Sequence, residues 1–213
     1  EVFAFVEGLV ADRKQRLAKG ENPQDLVSLM AAAERQNGIT HEIAFDNLFN
    51  FILGAIDTTE KWLGNIVERL CNDAAARAAL TADPARIEAF NDEVMRYDSV
   101  VQTIQRRVRE GGAEVLGQAM QGGDHVFVLL GAASRDPAEF ADADRFDMDR
   151  PAKPHLGFGF GFHHCLGLNI AKQEARAFVI ELLGHFPTLR VVTSDRGASW
   201  ALWGPRALRL ALV

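Results

Sequence analysis

The chain has 213 residues, 48% of them hydrophobic and 24% charged, with 18 Gly and 7 Pro. This ordinary globular composition excludes a disordered, collagen-like or low-complexity chain. With 23 Lys and Arg against 29 Asp and Glu the formal charge is −6, a poor match to nucleic acid, whose binding runs on clustered cations that displace phosphate counterions.

The two cysteines, Cys71 and Cys165, are too few for a disulfide framework and form no C-x-x-C pair, so a reducing, cytoplasmic setting is expected. The start lacks a basic segment ahead of an apolar one and is not read as a signal peptide. The longest apolar run, residues 51–56, is far short of the ~20 residues that span a bilayer. No membrane partner is expected. Residue 1 is Glu, not Met, so the chain is expected to belong to a longer gene product.

Apolar residues at helical spacing predict a helix over 2–17, stopped by Lys19-Gly20. Asn22-Pro23 opens a second, through 25–35, that ends at Gly38. Thr40 caps a third that persists to about Asn72; its middle, residues 48–56, is apolar almost all round and predicts burial on every side. Asp83-Pro84 starts another helix, running to about Asp98. Residues 103–108 and 125–130 read as strands, Asp136-Pro137 as a short helical turn, and 141–163 as an irregular functional stretch. A strong helix follows over about 166–186, with Ile170, Ala171, Ala175, Phe178, Val179, Leu182 and Leu183 expected on one face. The tail, 189–192 and 207–213, reads as strands. The fold class is mainly α with a minor antiparallel β component.

The chemistry concentrates in residues 155–167, HLGFGFGFHHCLG. A phosphate-cradling loop would need G-x-G-x-x-G after a strand, whereas here the glycines run G-x-G-x-G with no clear strand before them. A zinc site could recruit Cys165 with His163 or His164, but adjacent histidines do not readily converge on one metal and no second Cys is near. The third reading is an axial thiolate. A helix N-terminus favours an anion, Gly159, Gly161 and Gly167 allow tight turns and close approach of a flat cofactor, and Phe158, Phe160 and Phe162 supply apolar surface.

This run resembles the signature of the cytochrome P-450 family, F-x-x-G-x-[HR]-x-C-x-G, filled at Phe158, Gly161, His163, Cys165 and Gly167. The resemblance implies haem b held by Cys165 as proximal iron ligand, with His155 and His163 where the family contacts haem propionates. Three further segments agree in order. Glu93 and Arg96 resemble the family's E-x-x-R pair, which is buried beneath the cysteine loop and joined by an Arg of the preceding meander, here Arg145 or Arg150; these roles are structural. Residues 101–107 resemble the strand whose Arg meets a propionate, and spacing favours Arg106 over Arg107. The segment Gly54-Ala55-Ile56-Asp57-Thr58-Thr59 resembles the oxygen-activating stretch, in which Asp57 and Thr58 relay protons; Ala55 stands where Gly is common.

The resemblance spans residues 1–213 as the C-terminal half of a family member of the bacterial soluble type, with the N-terminal half absent. It implies a haem-thiolate monooxygenase that uses O2 and two electrons from a ferredoxin-type partner and its reductase to hydroxylate a small apolar substrate. Lys172 and Arg176 are candidates for a cationic docking patch. The leftover apolar face is expected to be covered by the missing half or by a second copy. The rival reading is a truncated haem-binding or sensing protein without turnover; an interaction module without haem is a third, against which the intact cysteine signature argues. His41 and His125 are read as surface residues and Cys71 as a core or boundary thiol.

Overall fold

The structure, a computed structural model, describes residues 1–21 and 23–212. Asn22 and Val213, each part of an expected element, lie outside them. The chain divides into two compact units, Glu1–Asp57 and Thr58–Val213.

The first unit contains α1 (Val2–Ala18), α2 (Leu26–Arg35) and the first part of α3 (His41–Asn72). Val6, Val10 and Leu48 form its core, with Val27, Met30, Phe45, Phe49 and Ile52 packed against them. Helix α2 begins later than its Asn-Pro signal suggested. Asp25 is its cap: the carboxylate accepts the Ser28 N–H at 2.8 Å and the Arg13 Nε–H at 2.8 Å. These donors, the Ser28 N–H foremost, hold the Asp25 carboxyl down at about 2. Because the folded value lies below the unfolded one, the contribution is complete above about pH 4 and is lost as pH falls toward 2. Asp25→Ala is expected to cost about 0.5–2 kcal/mol, and urea titrations of the two proteins should converge only below about pH 2. Thr40 caps α3 as expected, accepting the Ile43 N–H at 3.2 Å. The expectation of all-round burial for the middle of α3 is not met: Leu53 and Ile56 are exposed, because among the described residues no apolar side chain covers that face.

The second unit is built on i, i+4 stripes, which lie on one side of a helix. Trp62, Ile66 and Leu70 of α3, Leu80 of α4 (Ala74–Ala82), Ile87, Phe90 and Val94 of α5 (Ile87–Tyr97), and Ala175, Val179 and Leu183 of α7 (Leu168–His185) make one core. Helix α3 ends at Asn72, as expected; α4, capped by Asp73, which accepts the Ala76 N–H at 2.8 Å, had no expectation attached to it. Within α7 Ala175, Val179 and Leu183 are buried and Ala171, Phe178 and Leu182 pack against the same core, as expected, whereas Ile170 is exposed.

Three two-stranded antiparallel sheets complete the unit. β1 (Thr103–Arg107) pairs with β4 (His125–Leu129), Thr103 opposite Leu129 and Arg107 opposite His125. β2 (Ala113–Val115) and β3 (Gln118–Met120) form a hairpin absent from the expectations; Leu116 at its tip takes φ 50°. β5 (Leu189–Asp195) pairs with β6 (Ala207–Leu212) around an irregularity between Val191 and Thr193. A short helix, α6 (Leu130–Ala133), continues β4. The fold is mainly α with minor antiparallel sheet. Among the described residues no helix is long and apolar enough to cross a membrane.

Candidate functional site

The site rests on α5. Glu93 and Arg96 are both buried, and their side chains make a two-pronged pair, Nε to Oε2 at 2.7 Å and Nη2 to Oε1 at 2.8 Å. The rest of the guanidinium is spent on main-chain carbonyls: Nη1 on Ser134 O at 3.0 Å and Ala143 O at 2.9 Å, Nη2 on Arg145 O at 3.2 Å. A planar fork with five N–H donors suits this arrangement and an ammonium does not. Glu93 Oε1 also accepts the Asp147 N–H at 2.9 Å and the Arg150 Nε–H at 3.2 Å. Of the two meander arginines, Arg150 reaches the pair with its side chain. Arg145 offers only its carbonyl; its own guanidinium is exposed and binds Asp147 at 2.7 Å.

The cysteine loop packs on this frame. Gly157 has no room for a side chain, since a Cβ there would lie 2.6 Å from Met95 Cγ. Gly159 takes φ 75° and Gly161 φ 67°, conformations that glycine adopts without strain. The turn closes through Gly159 N–H to Leu156 O at 2.9 Å and Cys165 N–H to Phe158 O at 2.9 Å. Phe158 meets Trp62 edge-on, with ring centroids 5.5 Å apart. Thr58 lies four residues before Trp62 on α3 and so shares the Trp62 face; Asp57 immediately precedes it and belongs to the other unit.

Cys165 is exposed and free, three residues before α7 begins. Its surroundings differ from those of Cys71, whose thiol burial pushes up. Phe160, Phe162, Leu166 and Ile170 are all exposed in the same loop and the first turn of α7. His163 and His164 are exposed as well. His155 is half-buried, and its Nδ1 accepts the Gly157 N–H at 3.1 Å. Burial holds this imidazole below its ordinary value, Asp92 acting in the opposite direction, in keeping with a neutral acceptor ring. Arg106 is exposed on β1, its Nη1 donating to Gln105 O at 2.9 Å. Among the described residues no hydrogen bond joins Arg106, His155 and His163 to one another.

Behind the loop lies a cavity of about 400 Å³, lined among others by Asp92, Arg96, Lys153, His155, His164 and Lys172. Lys172 is not a free docking cation: its ammonium binds Asp92 at 2.7 Å, tying α7 to α5.

These residues fit a haem. Among the described residues no three His, Cys, Asp or Glu side chains gather to hold a bare metal ion, so the zinc reading lacks a ligand set. A porphyrin supplies four nitrogens of its own and would ask the protein for a single donor. Cys165, a free thiol at a glycine turn with exposed apolar side chains around it, fits that requirement. A Cβ on Gly167 would sit 3.8 Å from Cys165 Sγ, so glycine there keeps one side of the sulfur open.

Comparisons with known proteins agree. Residues 86–195 match the family profile Cytochrome P450. The biotin biosynthesis cytochrome P450 of Bacillus subtilis is 30% identical over 211 residues, covering 98% of this chain and 51% of that protein. The 20-oxo-5-O-mycaminosyltylactone 23-monooxygenase of Streptomyces fradiae is 30% identical over 92% of this chain and 46% of its own length. Among solved structures, P450BioI in complex with an acyl carrier protein ligated to hexadec-9Z-enoic acid superposes with a TM-score of 0.87 at 28% identity, covering 99% of this chain and 53% of that one. Mycobacterium smegmatis CYP164A2 with econazole bound gives 0.89 at 29%, covering 99% and 52%. The chain thus spans about half the length of the curated relatives it matches. A cysteine loop, a buried Glu–Arg frame and a fold shared over nearly the whole chain place it in the cytochrome P450 family.

Proposed function

We propose that this chain is the thiolate-bearing, C-terminal half of a haem-thiolate monooxygenase that hydroxylates a small apolar substrate, with Cys165 as the protein ligand to iron. The observation that carries the reading is the exposed Cys165 thiol, held at a glycine-built turn before a helix N-terminus and bordered by unburied apolar side chains. Members of the family bind haem b through a cysteine thiolate, which when bound supplies two-electron O2 activation.

The chain's own residues divide the remaining work. Phe158, Gly159, Gly161 and Gly167 shape the loop so that a flat ring can approach Cys165. Arg106, His155 and His163 offer cationic or hydrogen-bonding groups for propionates. Glu93, Arg96 and Arg150 hold the frame beneath the loop, with Arg145 contributing its carbonyl. Thr58, four residues before Trp62 on α3, and Asp57 beside it would handle the proton that oxygen activation consumes, Asp57 supplying it and Thr58 presenting it. Electrons come from a ferredoxin-type protein and its reductase, in a cytoplasmic setting without nucleic-acid or membrane partners. The exposed apolar residues are covered by the N-terminal half of the polypeptide or by a second copy.

The test is spectroscopic. Haem-loaded protein, reduced and saturated with carbon monoxide, is expected to show the strongly red-shifted Soret band of thiolate ligation; absence of any Soret band removes the reading. Thr58→Ala is expected to keep that band while diverting reducing equivalents to hydrogen peroxide by about 10-fold or more over wild type, measured as peroxide formed per electron pair. Unchanged coupling would remove Thr58 from the relay. A second reading, haem binding without turnover, is favoured by the exposure of Cys165 and its loop in this chain, since water reaching the site dissipates the reaction. A red-shifted band with no product from a surrogate ferredoxin system selects it.

A further inference from the structure

The buried Glu–Arg frame and the cysteine loop are separate in sequence, and Ser134, just beyond α6, lies between them. Ser134 is wholly buried, and its N–H, carbonyl and hydroxyl oxygen each have a partner. Its N–H donates to Leu130 O at 3.0 Å. Its carbonyl accepts the Arg96 Nη1–H at 3.0 Å. Its hydroxyl oxygen accepts the Leu156 N–H at 3.3 Å. Leu156 is where the loop turns: its carbonyl accepts the Gly159 N–H, and the Phe158 carbonyl within that turn accepts the Cys165 N–H, each at 2.9 Å. One run of hydrogen bonds therefore leads from Glu93 through Arg96 and Ser134 to the turn that carries Cys165. On the other side of the same turn, Met95 packs against Gly157 too closely to admit a Cβ. The loop is pinned to α5 by packing at Gly157 and, through Ser134, by a hydrogen bond at Leu156.

We propose that Ser134 is a positioning residue for the thiolate: its hydroxyl sets the cysteine loop against the buried ion pair and so fixes where the Cys165 sulfur is presented. A buried donor stripped of its acceptor is costly, so loss of one oxygen atom at Ser134 frees the Leu156 N–H and loosens the turn. A merely space-filling Ser134 would tolerate alanine, because the fold needs no volume from the hydroxyl.

Two readouts separate this from a general structural role. The first, amide hydrogen exchange of the haem-free protein, does not depend on the haem-thiolate reading. Ser134→Ala is expected to raise exchange at Leu156, Gly159 and Cys165 about 10-fold, with α4 amides unchanged, and Ser134→Thr, which keeps the oxygen, is expected to restore protection. Unchanged exchange at Cys165, an equal rise in α4, or a threonine variant that behaves like alanine overturns the proposal. The second rests on the haem-thiolate reading. In haem-loaded, reduced, CO-saturated protein, Ser134→Ala should shift part of the population from the red-shifted Soret band to an unshifted one, and threonine should not. Loosened amides with an undivided red-shifted band would show that the hydroxyl orders the loop without setting the sulfur, and would overturn the positioning role. Loosened amides with no red-shifted band even in wild type would instead count against Cys165 as ligand.

Discussion

Replacing Cys165 with serine is expected to abolish the red-shifted Soret band of the reduced, CO-saturated protein altogether. The effect is all-or-none because the described residues hold no second thiol near the loop, and the Met95 thioether packed against Gly157 carries no charge to replace a thiolate: Cys71 sits in α3, partly buried, with burial raising its thiol. An alcohol does not ionise in this range and lacks the sulfur's electron density, so serine would not supply to a bound haem what a thiolate would. The loop itself should survive, because its closure at this position uses the main-chain N–H of Cys165 and not its side chain. Far-ultraviolet circular dichroism and unfolding midpoints are therefore expected to match wild type within about 0.5 kcal/mol. An unchanged spectrum in Cys165→Ser would remove the ligand assignment.

The second large effect belongs to Arg96. Arg96→Ala leaves Glu93 buried with part of its pairing gone and strands the carbonyls of Ser134 and Ala143. Breaking a buried pair from one side costs about 3–5 kcal/mol, which for a unit of this size lowers Tm by about 6–20 °C. Arg150 still touches Glu93 Oε1, so the loss should fall short of complete unfolding. Arg96→Lys is expected to recover little, because one ammonium cannot reach acceptors spread around a planar fork. Arg145→Ala is the contrasting control. It removes an exposed ion pair with Asp147 but keeps the carbonyl that Arg96 and Arg150 use, and should cost under about 1 kcal/mol. Differential scanning calorimetry of the three variants checks the order; equal losses for Arg96→Ala and Arg145→Ala would show that the frame does not depend on the buried pair.

These two experiments address residues that differ in how visible they are in the sequence. Cys165, with Phe158, Gly161, His163 and Gly167 around it, occupies one short run, and the local geometry of that run follows from its glycines. Glu93 and Arg96 are likewise one helical turn apart. Helix registers such as Ile66–Leu70 or Val179–Leu183 follow from the 3.6-residue period alone.

What folding decided involves partners far apart in the chain, or groups that every residue carries. The choice of Arg150 over Arg145 is set by which side chain the meander turns inward. The carbonyls of Ser134, Ala143 and Arg145 leave no trace in residue type, because any residue offers one. Ser134 joins the two motifs through a hydroxyl that reads, in sequence, as ordinary loop polarity. The side of α7 on which Ile170 lies, and the exposure of Leu53 and Ile56, depend on which neighbours exist to cover them. Amino-acid order alone determined the chemistry of the loop and the period of the helices, since both arise between residues close along the chain. Only the tertiary structure decided which buried charges meet and what holds the loop in place, since hydrogen bonds and burial are made between segments that the chain brings together from a distance.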